Sequence, residues 1–409
     1  MRDYTYVENF KKLGFGMFVH FGLYSVWGKG EWSKETLKIP YDKYNEACDK
    51  FVPVKDWAKR LVKTAKKAGV RYITLTTRHH DGFSLYDTKG LSDYDVMHTK
   101  CGRDLVREFV DACNEGGIVP FFYHTLLDWY HPDFVGDSAL HGFVPKAGAD
   151  FSKYIDYLVK SIEVLCTSYG KIGGFWFDGM WSNWNGDWQE DRLYGTIRKY
   201  QPEAIIINNT GLSREGEQGH PELDSVTFER GNAKEVSSAR PLAGEVCEAF
   251  NYHWGYAQAD VNYKPLKEIL LKLVGCRAEG CNMLLNVGPL PSGKLRTLDE
   301  GYFEEIGRWI KANKNLFYSL YPCDITCDKA VVLTDGKYYY AIYDGAKTLG
   351  SEDVQVGAED FPLTFSVPVK NAKFIDNGKP AKTKKNTIIA EPFDYGVNLA
   401  LRIVRFSLK

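Results

Sequence analysis

Trp176-Phe177-Asp178-Gly179 is the segment whose residue types and spacing point most directly to chemistry. It ends a short apolar run. Read as a strand, that run puts Trp176 and Asp178 on one face and Phe175 and Phe177 on the other. The phenylalanines suit packing against helices. The carboxylate and indole suit a pocket, because an ionised side chain is costly there unless it is solvated, hydrogen-bonded or used. A second carboxylate, Glu229, falls at the end of another β-type run. Two carboxylates across one pocket are the equipment for glycoside hydrolysis: one attacks carbon or activates water, the other protonates the leaving oxygen. His20 and the pair His79-His80 close two further runs. A neutral imidazole offers one donor and one acceptor, which suits a sugar hydroxyl. Trp32, Trp176, Trp181, Trp184 and Trp254 fall in loops or at strand ends, as residues that stack on sugar faces would.

These residues need a frame that brings strand ends together. Eight apolar runs of strand type occur at 16–22, 72–78, 118–124, 174–179, 204–209, 225–230, 245–250 and 283–288. Helical patterns separate several of them. Residues 56–68 align Trp57, Leu61, Val62, Ala65 and Ala68 on one face and stop at Gly69; 103–115, 151–168 and 266–278 repeat the pattern. The alternation predicts a (β/α)8-like, TIM-type barrel. It is expected to be partly irregular, because 209–225 leaves little room for a helix and 230–245 shows none. A doubly wound sheet is the alternative, but Gly22-Leu23-Tyr24-Ser25 is not the Gly-rich phosphate turn that fold usually carries. In a barrel the site lies where strands end. Tyr123-His124, Asn208-Asn209 and Asn286 then join the histidines and carboxylates at one mouth.

After a last helix at 302–313 the texture changes. Short β runs at 330–333, 337–343, 361–369, 387–390 and 399–408, with Asp335-Gly336 and Asp376-Asn377-Gly378 as turn signals, predict a small C-terminal antiparallel β-sandwich. The expected division is 1–322 for the catalytic barrel and 323–409 for the β domain.

Composition bounds the alternatives. The 409 residues carry 52 Lys and Arg against 53 Asp and Glu, a net charge of -1, which argues against a generally basic nucleic-acid binder. No apolar run is long enough to cross a membrane. The opening residues lack the apolar core of a signal peptide, and nine cysteines without metal-ligand spacing suit a reducing compartment, so a cytoplasmic location is expected. A metal reading of His79 and His80 meets two objections: adjacent strand residues point to opposite faces, and no HExxH is present. No metal or cofactor is expected.

With these segments in view, the sequence resembles the family 29 glycoside hydrolases, the retaining α-L-fucosidases. The resemblance rests on residues 14–26, Glu31-Trp32, His79-His80-Asp81-Gly82-Phe83, Trp176-Phe177-Asp178-Gly179, residues 224–229, His253-Trp254-Gly255-Tyr256 and residues 282–289, in the family's order. It implies a barrel followed by a β-sandwich, and Asp178 as nucleophile. It implies fucose binding through His20, Glu31, Trp32, His79, His80 and Tyr123, with Trp176 and Trp254 lining the pocket. The family places its acid/base in one of two segments, which map to Glu229 and Glu245; barrel geometry favours Glu229, because Glu245 begins its strand. The implied activity is exo-acting removal of terminal α-L-fucose from glycans through a covalent fucosyl-enzyme, with transfer to a sugar acceptor and a homo-oligomer left open. Two rivals stand beside it: a non-catalytic fucose-binding barrel, and a metal-dependent barrel hydrolase.

Overall fold

The computed structural model describes residues 3–136, 146–347 and 360–409. Eight parallel strands close a barrel in chain order: β1 (Phe15–Val19), β2 (Tyr72–Arg78), β3 (Val119–Thr125), β4 (Gly174–Asp178), β5 (Ile205–Asn208), β6 (Ser225–Glu229), β7 (Ala243–Ala249) and β8 (Asn282–Val287). β8 pairs back onto β1 with Phe15 opposite Met283 and Val19 opposite Val287. Inward side chains fill the interior, among them Phe18, Tyr72, Phe121, Tyr123, Trp176, Ile205, Ile207, Cys247 and Leu284. Phe10, from the short helix Thr5–Lys11, packs into the same cluster. The Tyr72 ring lies so close to Gly16 that a Cβ there would sit 2.3 Å from it, so a side chain at position 16 would displace the ring.

The helices form where the apolar period is 3.6. Trp57–Ala68 buries Trp57, Ala58, Leu61, Val62, Ala65 and Ala68 and ends on left-handed Gly69. Asp104 caps Leu105–Gly116 by accepting from the Arg107 amide at 2.9 Å, and Asp150 caps Phe151–Ser168. No helix links β5 to β6 or β6 to β7, as the short, irregular spacers predicted. A helix at Glu190–Tyr200 was not expected. It buries only Leu193, Tyr194 and Ile197, too narrow a stripe to stand out among polar neighbours. The last helix runs Thr297–Ala312, starting earlier than the expected 302.

The chain divides into two compact units. The first holds residues 1–231, 236–263 and 282–303, and therefore all eight barrel strands; the second holds 232–235, 264–281 and 304–409. In the second, a five-stranded antiparallel sheet runs in the order β13 (Val369–Phe374), β16 (Arg402–Leu408), β11 (Tyr339–Tyr343), β10 (Val331–Thr334), β9 (Tyr321–Pro322). A three-stranded sheet orders β12 (Phe361–Thr364), β15 (Thr387–Ala390), β14 (Lys382–Lys384). Both contribute to one core around Tyr343, Leu363, Phe365, Phe374, Ile388, Val404 and Phe406. The single run expected at 361–369 is two strands in different sheets. Pro368 lies between them, and its missing N–H cannot continue a ladder. Among the described residues no helix is long and apolar enough to cross a membrane.

Candidate active site

A cavity of about 340 Å³ opens at the C-terminal ends of the barrel strands. His20, His79, His80, Tyr123, Trp176, Asp178 and Glu229 line it from β1 to β6, together with Phe18 and Cys247. Trp32, Trp181, Trp184, Trp254 and the segment Gly211-Leu212-Ser213 complete the wall. The alternation expected of β4 holds. Trp176 and Asp178 face this cavity, while Phe175 and Phe177 stack on each other at 5.7 Å and Phe177 meets Tyr194 of the outer helix.

The two oxygens of Asp178 are unequally held. Oδ1 accepts from the Gly179 amide at 2.9 Å, from Trp181 Nε1 at 3.0 Å and from Asn209 Nδ2 at 3.3 Å. Oδ2 accepts from the Tyr123 hydroxyl at 3.0 Å and lies 3.5 Å from His80 Nε2. Burial raises this carboxyl's pKa above its ordinary value, while bonds from Trp181, Tyr123, Asn209 and Gly179 pull it back. The donors crowd Oδ1, so Oδ2 is the freer oxygen for bonding to carbon.

Glu229 stands on the neighbouring wall. Its Oε2 accepts from the same Asn209 Nδ2 at 2.8 Å. Both bonds meet at one nitrogen, so 3.3 plus 2.8 Å bounds the separation of those two carboxylate oxygens at about 6.1 Å. Burial, and next the charge of Asp178, push the Glu229 carboxyl up to about 7; Asn209 and Arg230 oppose the shift. Up to about pH 7 this group can carry a proton beside the Asp178 charge that helps keep it there, an arrangement that suits general acid catalysis.

Glu245, the alternative position for the acid/base, is placed differently from Glu229. In the β6–β7 register Thr227 lies opposite Glu245 and Glu229 opposite Cys247. Glu245 thus sits two residues deeper, roughly 6–7 Å down the strand. It is fully buried. Both oxygens are engaged, Oε2 by the Tyr72 hydroxyl and Oε1 by Trp176 Nε1 at 2.9 Å, and it does not line the cavity. Burial raises its pKa to about 7. The folded value exceeds the ordinary 4.5, so the stabilising proton is present at low pH and lost as pH rises through about 7. Substituting Glu245→Gln keeps both bonds, since the Tyr72 hydroxyl can turn to accept from the new amide. The expected result is activity within about threefold of wild type and an unfolding free energy that falls less between pH 5 and pH 8, by on the order of 3 kcal/mol. A loss of activity beyond a hundredfold would favour Glu245 as the acid.

Burial keeps His20 and His79 neutral. His20 Nδ1 meets Asn286 Oδ1 at 2.6 Å, and Asn286 Nδ2 donates to the Trp254 carbonyl at 2.7 Å. That second bond orients the amide, so His20 Nδ1 donates and Nε2 keeps a lone pair. Burial drives the His20 pKa down to about 3 and that of His79 well below its ordinary value. His80 Nδ1 lies 2.7 Å from Thr125 Oγ1, whose proton goes to the Leu127 carbonyl, so His80 donates there. Among the described residues no three His, Cys, Asp or Glu side chains form a metal-binding group.

Aromatic rings set the walls. Trp254 stacks on His20 at 5.4 Å, with the Arg230 guanidinium 4.5 Å over its ring. Trp32 stacks on Trp181 at 5.9 Å. Glu31, expected at the sugar, does not line the cavity. Its Oε2 accepts from the Trp254 and Gly255 amides at 3.0 and 2.8 Å, so what it holds in the structure is the loop carrying Trp254. Asn209 was read only as a strand end, with nothing to separate it from Asn208. The structure separates them: Asn208 turns outward to Tyr194, and Asn209 turns inward.

The family model described as Alpha-L-fucosidase matches residues 1–315. The alpha-L-fucosidase of Dictyostelium discoideum is 26% identical over 340 residues, which cover 75% of this chain and 70% of that protein. Among solved structures, Alpha-L-fucosidase isoenzyme 1 from Paenibacillus thiaminolyticus superposes with a TM-score of 0.83 at 29% identity, covering 99% of each chain. Alpha-L-fucosidase AlfC from Lactobacillus casei, in complex with α-L-fucose product, gives a TM-score of 0.67 at 27% identity, covering 76% of this chain and 99% of that one.

Proposed function

Because this chain belongs to the α-L-fucosidase family of glycoside hydrolases, we propose that it removes terminal α-L-fucose by double displacement, with Asp178 as nucleophile and Glu229 as acid/base. The observation that carries this reading is the bridged pair of carboxylates. An oxygen separation of at most about 6.1 Å suits the roughly 5–5.5 Å of retaining glycosidases better than the 6.5–9.5 Å that leaves room for a water in inverting ones.

In the first step Asp178 Oδ2 bonds to the anomeric carbon as the glycosidic C–O bond breaks. The Glu229 proton passes to the leaving oxygen. Asp178 is then an ester, its charge is gone, and Glu229 carries the negative charge instead. In the second step Glu229 takes a proton from water, the water oxygen bonds to the anomeric carbon, and the carboxylate of Asp178 is released. His20 Nε2, with its lone pair, suits a sugar hydroxyl as donor to it. Phe18, Trp176 and Trp254 supply the apolar surface that a sugar carrying a methyl in place of a hydroxymethyl requires.

Following hydrolysis of an aryl α-L-fucoside by proton NMR tests the stereochemistry. α-L-Fucose is expected as the first-formed anomer, with the β anomer appearing only by mutarotation. First-formed β-L-fucose would mean single displacement and would remove the covalent role from Asp178. Binding of fucose without turnover would favour the non-catalytic barrel.

A further inference from the structure

Asn209 touches both carboxylates at once, and its orientation is dictated by its neighbours. Its backbone amide donates to the Phe177 carbonyl at 2.8 Å, which pins the residue to the end of β4. Its Oδ1 accepts from Thr227 Oγ1 at 2.8 Å and from the Gly211 amide at 3.3 Å. An amide N–H can only donate, so the Gly211 contact fixes the oxygen on that side. The Nδ2 group is left facing Asp178 Oδ1 and Glu229 Oε2. The side chain is buried, so water competes little for these bonds.

Resting on the assignment of Asp178 and Glu229 above, we propose that Asn209 is a positioning residue that couples the two carboxylates, its amide following the negative charge from one to the other through the reaction cycle. In the resting enzyme the charge lies on Asp178 and the proton on Glu229. Glu229 Oε2 is occupied by the Asn209 N–H, so that proton sits on Oε1, the oxygen left to face the leaving group. When Asp178 becomes an ester, Oδ1 is a carbonyl oxygen and accepts more weakly. Glu229 is now the anion, and the Asn209 N–H already 2.8 Å from Oε2 stabilises it without any side chain having to move. The second step reverses the exchange. One fixed donor thus serves both half-reactions and also sets the spacing that double displacement requires.

The other groups facing this pair are known. Asp178 faces His80, Tyr123 and Trp181; Glu229 feels Asp178, Arg230 and Glu31; and Cys247 lies near both carboxylates from β7. Asn209 bonds to both carboxylates. Removing its donor bonds should therefore raise both carboxyl pKa values together, because each bond favours the charged form.

The test is the pH profile of kcat/KM on an aryl α-L-fucoside for the full-length wild type, Asn209→Ala, Thr227→Val and Thr227→Ser. For Asn209→Ala both limbs are expected to move to higher pH by about one unit. kcat is expected to fall roughly 10- to 100-fold with KM changed less than about threefold, as for loss of an interaction that matters in the transition state. Thr227→Val releases Asn209 Oδ1 without touching the carboxylates. It should reproduce the shift in part, and Thr227→Ser, which keeps the hydroxyl, should restore the wild-type profile. The Thr227 pair keeps the test decisive if Asn209→Ala folds poorly. A profile that scales down without moving, or a rise in KM alone, would overturn the coupling role. Failure of the underlying assignment looks different: a first-formed β anomer, or an Asp178→Ala variant that turns over like wild type.

Discussion

Replacing Asp178 by alanine is expected to lower kcat on an aryl α-L-fucoside by roughly four orders of magnitude, the scale of losing a covalent nucleophile while binding and charge stabilisation remain. Azide then restores turnover and gives β-L-fucosyl azide. The truncated side chain leaves room on the face opposite the leaving group, and a small anion can attack there. The donors around the lost carboxylate, from Gly179, Trp181, Asn209 and Tyr123, remain to receive it. The fold should survive, because the side chain is 14% exposed and the space it vacates opens into the cavity. A second signature accompanies the first. The charge of Asp178 is one of the causes holding the Glu229 carboxyl up near 7, so that value falls in the variant and the alkaline limb of the rescued reaction moves to lower pH. Azide rescue that yields the α-azide, or a variant with more than a tenth of wild-type activity, would take the nucleophile away from Asp178.

Glu229→Ala has the next largest effect, and it depends on the leaving group. Loss of a general acid costs about 10²- to 10⁴-fold where the departing oxygen needs a proton. With fluoride or a dinitrophenolate as leaving group the first step needs little help. The second step still lacks its base, so the fucosyl-enzyme accumulates and product appears as a burst. The pH profile carries the sign. In the wild type the proton must be on Glu229 for the first step, so kcat/KM falls as pH rises through about 7. The variant has no group to deprotonate, and its profile is flat across that range. A persistent alkaline limb near 7 would point to another acid. Glu245, with a pKa also near 7, would be the first to examine, and the Glu245→Gln variant separates the two.

Much of this site follows from local patterns. The two-residue period of β4 puts Asp178 beside Trp176 on the inner face whatever the rest of the chain does, because strand pleat is a local property. Likewise His20, His79-His80, Tyr123 and Glu229 lie at or within two residues of the ends of their strands, and parallel strands in a barrel present their ends at one mouth. Three features needed the folded chain. Glu31 lies 223 residues from Trp254, and only the tertiary fold shows it gripping that loop's amides. Asn208 and Asn209 are indistinguishable as neighbours in sequence; which one faces inward depends on where β5 ends against β4. The helix at Glu190–Tyr200 is stabilised by three buried residues whose partners lie elsewhere, so its period is faint in isolation.

The division has a physical basis. Periodicity and end-of-strand placement come from backbone geometry within a few residues, so the sequence by itself determined the barrel, the inward carboxylate and the ring of polar strand ends. Depth within the barrel is different. Whether Glu229 or Glu245 reaches the mouth is decided by stagger between β6 and β7, where Glu229 pairs with Cys247 and Glu245 with Thr227. That register is set by hydrogen bonding between strands and by the packing of Tyr72 and Trp176 around the buried acid. A shift of two residues along a strand keeps a side chain on the inner face but moves it from the solvent-facing cavity into the closed core. The tertiary structure therefore decided which of two inward-facing glutamates lines the cavity and which is buried below it, and it supplied the Asn209 amide that bonds to both Glu229 and Asp178.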